Sequence, residues 1–163
     1  MEISKSAILD LHASMHECMG VVLDHAASVP FAVLTQELAG FGRPSVRDQI
    51  AHIFSAETAW VSALQMLPQL RRFDAKTLTS VEDFRRAQRE AMSGTRAYLE
   101  SIDDRALNSM LERYHEEWTT PHRRPAFILL HVITHAFHHK GQIVAMLRLL
   151  GYPAPDTDMQ RAG

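Results

Sequence analysis

The sequence holds a single cysteine, Cys18. One thiol closes no intrachain disulfide and builds no zinc site that needs several cysteines. No run of about 18 apolar residues is present, so no membrane-spanning helix is expected. Positive charge is not in excess: 17 Lys and Arg stand against 19 Asp and Glu, for a net charge of -2. A chain so balanced has no global positive field, and no nucleic-acid partner is expected. Sustained apolar–polar alternation and Asn-Gly or Asp-Gly turns are also missing, so no β-hairpin is expected. The N-terminus lacks the basic, apolar and small-residue parts of a secretory leader, which points to the cytoplasm.

What stands out is histidine, with ten in 163 residues. Histidine is the commonest metal ligand and a frequent proton carrier. Its meaning depends on where the ten sit.

Four segments carry helical periodicity. The first runs from about Ser4 to Ser28, with Ile8, Leu11, Met15, Met19, Val22 and Ala26 on one face. Val29-Pro30 ends it. A short turn over 31–38 precedes the loop Gly40-Phe41-Gly42-Arg43-Pro44. Ser45, with Asp48 three residues on, starts the second helix, which stops before Pro68. A polar connection with Arg71, Arg72 and Lys76 leads to the third helix, from about Thr79 or Ser80 to Ile102. Its Arg85, Arg86 and Arg89 read as a solvated face. Leu107, Met110 and Leu111 anchor at most a short element, and residues 115–124 read as loop. Pro125 opens the fourth helix, and Gly151 ends it. The expectation is one all-α domain over residues 1–163, a four-helix bundle with a long crossover connection.

On the fourth helix, turning about 100° per residue from Phe127, His131 falls near 40°, His135 near 80°, His138 near 20°, His139 near 120° and Gln142 near 60°. Met146 and Leu149 extend the same stripe. Imidazoles mixed with apolar side chains imply a stripe that faces the bundle. Histidines at i and i+4 point the same way, so two ring nitrogens can reach one ion. The relation occurs twice, as His131/His135 and His135/His139. A third ligand must come from another helix, and His52 is the candidate. Ala56, Ala59 and Ala63 share its side and leave room for a metal and a ligand, while Ser55, Thr58, Ser62 and Gln65 mark the wet side.

The run His131-Val132-Ile133-Thr134-His135-Ala136-Phe137-His138-His139-Lys140-Gly141-Gln142 resembles the signature helix of the DinB/YfiT-like superfamily. The following stretch to Leu150-Gly151, the Pro/Asp-rich tail from Pro153 to Asp158, and His52 with Glu57 and Trp60 also fit that resemblance. It implies a four-helix bundle with a divalent metal on His52, His135 and His139. His131, Gln142 and His138 then stand beside the ligands or line a pocket, with His138 expected at the edge. Zinc or nickel is the first expectation for the ion, with manganese or iron after them. Members are often homodimers that act on small molecules, some with a low-molecular-weight thiol as co-substrate.

Three neutral imidazoles leave the ion's charge unbalanced and favour an anion in the open position. Three functions follow: a thiol S-transferase-like enzyme, a metal-dependent hydrolase, or a non-catalytic metal-binding or stress-response module. Among the remaining candidates, His12 and His16 form another i, i+4 pair, either a second metal site or pocket lining. Cys18 is expected in the core. Glu57 is expected to pair with an arginine or to sit at a subunit interface. His122, Arg123 and Arg124 are a solvated loop or a carboxylate-binding group at a pocket mouth.

Overall fold

The computed structural model describes residues 2–113 and 124–159. Four long helices carry it: α1 (Lys5–Ala26), α3 (Val46–Leu64), α4 (Val81–Ser101) and α6 (Pro125–Leu149). Two short ones, α2 (Phe31–Leu34) and α5 (Asp104–Asn108), lie in the connections. No strand occurs among the described residues, and no described helix is long and apolar enough to cross a membrane. His115, Glu116, Glu117, His122 and Arg123 lie outside the described residues.

The helix starts follow from local chemistry. Ser4, Ser45, Ser80 and Asp103 each accept a hydrogen bond from a backbone N–H of the first turn, which satisfies a donor the helix leaves orphaned. Two helix ends share one closing geometry. Tyr152 N–H donates to Leu147 C=O with Gly151 at φ +86°, and Leu67 N–H donates to Ser62 C=O with Met66 at φ 54°. Gly151 was the readable stop. Met66 does the same job without a glycine, so α3 ends before Pro68 imposes it.

Helix α3 packs against α4 and α6, and so does α1. This puts α1 opposite α3 and α4 opposite α6, so the link from α4 to α6 crosses the bundle. Phe54, Phe84, Ile8, Leu23 and Ile128, all nearly fully buried, fill the centre. The tail returns along α6, where buried Lys140 donates to the carbonyl of Thr157 at 2.5 Å.

Two expectations about helix faces need correcting. The stripe on α6 does not face the bundle as a whole. The buried residues of α6 fall between about 100° and 260° on the same helical wheel, so a stripe from about 20° to 120° straddles the edge. Leu149 is accordingly 70% exposed, and His131 and His138 are exposed as well. His135 and His139, nearest the buried arc, are half-buried. The supposed wet side of α3 is also partly dry. Thr58 and Ser62 are buried because the connection after α3 folds back over them. Thr58 Oγ1 donates to the carbonyls of Phe54 and Arg71, both at 2.9 Å. Ser55 Oγ donates to Phe73 C=O at 3.1 Å and accepts from Phe73 N–H at 2.8 Å. A hydroxyl row that looked like a solvated stripe is a seam holding the loop.

Replacing Ser55 with alanine leaves both backbone groups of Phe73 without that partner. The expected loss is about 1–2 kcal/mol, a drop of a few degrees in Tm, with helical circular dichroism kept. Faster proteolytic nicking between residues 66 and 80 should accompany it. An unchanged Tm and unchanged nicking would mean that Ser55 does not pin the loop.

Candidate metal centre

Helix α3 brings His52 to its seam with α6, opposite two successive turns of α6 that carry His135 and His139. His52 meets His135 and His139 edge to face, those two are tilted to each other, and all three centroids are 4.4–4.8 Å apart. His52 Nε2 and His135 Nε2 are 3.1 Å apart, and one ring nitrogen from each of the three lies within 4.8 Å of the others. Each of the three rings is only part-buried.

The protonation state of the group follows from its surroundings. Burial lowers His52 to about 4, helped by the charges of Arg43 and His139. Burial also lowers His135 to about 3, reinforced by the neighbouring histidines. His139 is lowered too, by burial and then by His138. The rings are therefore neutral at pH 7, with lone pairs available. Neutral imidazole is the form that coordinates a metal.

The side chain of Gln49, three residues before His52, sets the orientation of His139. Its Oε1 lies 2.7 Å from His139 Nδ1, and its own Nε2 donates to Arg43 C=O at 2.9 Å. Gln49 is fully buried, so this pair has little freedom. Accepting from Nδ1–H fixes the tautomer and leaves the lone pair on Nε2. Gln142 Oε1 supports the same nitrogen at 3.2 Å, while its Nε2 meets His138 Nε2 at 3.0 Å. Gln142 thus ties exposed His138 to the group, and His138 sits at the edge as expected.

A cavity of about 660 Å³ opens beside the triad. His52, His135 and His131 line it, with Ala56, Ala59 and Trp60 forming an apolar wall. His131 stands edge-on to Trp60 at 5.5 Å between ring centres. Arg43 and Arg72 share the lining with Asp48 and Asp74, and Phe73, pinned by Ser55, closes one side. Without the hydroxyl seam on α3, this wall would not exist. Arg124, at the start of α6, is not part of the lining.

Other candidates lie elsewhere. Cys18 is buried in α1, where burial pushes its thiol up, so it offers no nucleophile to the cavity. Glu57 neither pairs with an arginine nor faces outward. It is buried against His12 and His16, which do not line the cavity. Its partners come from a helix 41 and 45 residues away in sequence, which no local pattern could reveal. Gln49 was also missed, although a glutamine three residues before a candidate ligand, on the same helix face, is a readable signal. The arginine run of α4 behaves as expected, pairing with Asp24, Asp83 and Glu82 at the surface.

Comparison with known proteins agrees with this architecture. "Protein DinB" of Bacillus subtilis (strain 168) is 24% identical over 149 residues, covering 84% of this chain and 82% of that protein. The DinB family model matches residues 5–162. A match across nearly the whole chain, on an all-helical bundle with a histidine cluster at the α3–α6 seam, shows that the chain belongs to the DinB family.

Proposed function

We propose that the protein is a metal-dependent enzyme. His52, His135 and His139 would hold a divalent ion beside the cavity, where a low-molecular-weight thiol reacts with a small electrophile. The observation that carries this reading is three neutral, convergent imidazoles beside a cavity large enough for a small-molecule ligand. A bound divalent ion would supply a Lewis acid that favours the anionic form of the nucleophile.

The chain's own residues do the rest. Gln49 holds His139 in one tautomer. Burial keeps His52 and His135 unprotonated. Trp60 and the alanines receive the apolar part of a substrate and limit water. Zinc or nickel suits all-imidazole ligation best. An external thiol is the natural co-substrate because Cys18 is buried away from the cavity.

The first test is elemental analysis and a thiol-conjugation screen on tag-free protein. His135→Ala should lose one equivalent of metal and all detectable conjugation while keeping its helical spectrum. Turnover of esters, amides or phosphates without added thiol would replace the transferase reading with hydrolysis. Full metal content and full activity in His135→Ala would overturn both.

Gln49 offers a finer test. Gln49→Leu removes the acceptor for His139 and should weaken metal affinity about 10–100-fold. Gln49→Glu keeps an acceptor there and should retain most of it. Equal affinity in both variants and wild type would show that Gln49 does not orient the ligand.

The pH dependence has a definite sign. Free imidazole, with a pKa near 6.5, is mostly protonated at about pH 5.5. His52 and His135 are lowered to about 4 and about 3, so protons compete with the ion only in more acid solution. Metal should therefore stay bound below the pH at which ordinary imidazoles would release it and leave only in more acid solution. Release centred between about pH 6 and 7 would contradict the neutral triad.

A further inference from the structure

A second cluster lies inside the bundle. His12 and His16 project from adjacent turns of α1, Glu57 comes from α3 on the opposite side, and Thr95 from α4. Their exposures are 1%, 4%, 1% and 1%. His12 Nε2 is 2.7 Å from Glu57 Oε1, His16 Nε2 is 3.2 Å from the same oxygen, and the two Nε2 atoms are 3.1 Å apart. Thr95 Oγ1 donates to Glu57 Oε1 at 2.7 Å. Gln88 fixes the α1 backbone by donating to His16 C=O at 2.8 Å, and the Phe54 ring lies parallel to that of His16.

Hydrogen bonding alone does not satisfy this triangle. If both histidines donate from Nε2 to Glu57, two N–H groups crowd together at 3.1 Å. If His16 instead accepts from His12, its bare lone pair turns toward the carboxylate. Either way one edge joins like to like. Oε1 is surrounded by His12, His16 and Thr95, while Oε2 is buried 3.1 Å from His16 Nε2 without hydrogen-bond geometry. Burial alone would raise the Glu57 carboxyl, but the charge of His16 and the hydrogen bonds from both histidines hold it low, at about 2. What stays unmatched is the 3.1 Å edge between the two Nε2 atoms, which an ion between them would remove.

We infer that His12 Nε2, His16 Nε2 and Glu57 form a second, structural metal site, closed inside the bundle and selective for a transition-metal cation such as zinc. Three lone pairs turned toward one ion remove the mismatched edge. The spacings of 2.7–3.2 Å approach the ~3.3 Å between ligand atoms in a tetrahedron with ~2.0–2.1 Å arms. Two nitrogens and a carboxylate favour zinc or a neighbouring first-row ion over magnesium or calcium, which prefer oxygen. Thr95 then fixes the carboxylate from behind, as a supporting hydrogen bond does at metal ligands. Such an ion would join α1 to α3 across the bundle and exchange slowly, because none of these side chains lines the cavity.

The test separates the two sites. The triple variant His52→Ala/His135→Ala/His139→Ala, tag-free and grown with zinc, should keep one equivalent after dialysis against EDTA, where wild type keeps two before dialysis. Adding Glu57→Gln should remove that last equivalent. Should that variant not fold, the triple variant decides alone: unfolded and refolded with zinc, it should recover one equivalent and a higher Tm than its zinc-free counterpart. A folded triple variant that binds no zinc, or releases all of it to EDTA, would overturn the second site. The difference between wild type and triple variant reports on the cavity site independently.

Discussion

The organising constraint is the contact between His52 and His135. Their Nε2 atoms meet at 3.1 Å across the α3–α6 seam, and a second positive charge cannot be tolerated there. The contact forbids charging both rings at once, and burial holds each of them neutral. The unfolded chain takes up protons at these positions below about pH 6.5 while the folded chain resists, so acid works against the apo fold. The same resistance keeps the lone pairs available. One physical condition thus shapes the packing of the seam and the chemistry of the site.

Helix α3 connects the two histidine clusters. His52 and Glu57 are five residues apart, about 7.5 Å along the axis and about 140° around it. One faces the seam with α6 and the cavity, the other faces the centre and α1. The row of Ser55, Thr58 and Ser62 holds the loop that completes the cavity wall, Ser62 by accepting from Arg71 N–H at 3.4 Å. A single helix therefore sets a metal-ligand candidate, a buried carboxylate and a pocket boundary. This explains why it carries buried polar residues such as Gln49, Glu57, Thr58 and Ser62 in an otherwise apolar core.

Much of this was legible before any coordinates. The four long helices follow from apolar periodicity and from Ser4, Ser45, Ser80 and Pro125, because these signals are local. The spacing on the fourth helix left His131/His135 and His135/His139 both open, the alanine neighbours made His52 a candidate, and the family resemblance singled out His52, His135 and His139. What escaped was what depends on distant partners. Leu149 looked buried because its position extends the stripe, yet it stands at the exposed edge of α6. Ser62 and Thr58 looked wet because the loop that covers them has no periodicity of its own. Glu57 looked like an arginine partner because His12 and His16 reach it only through the folded bundle. Met66 closes α3 in a left-handed conformation that its residue type does not announce.

The account stands or falls on where a metal sits in the folded protein. Anomalous diffraction at the metal edge, on crystals of tag-free protein grown with zinc, measures that directly. The predicted result is a peak within bonding distance of His52 Nε2, His135 Nε2 and His139 Nε2, with Gln49 still bonded to His139 Nδ1. A fully zinc-loaded crystal with no peak among these three nitrogens would contradict it.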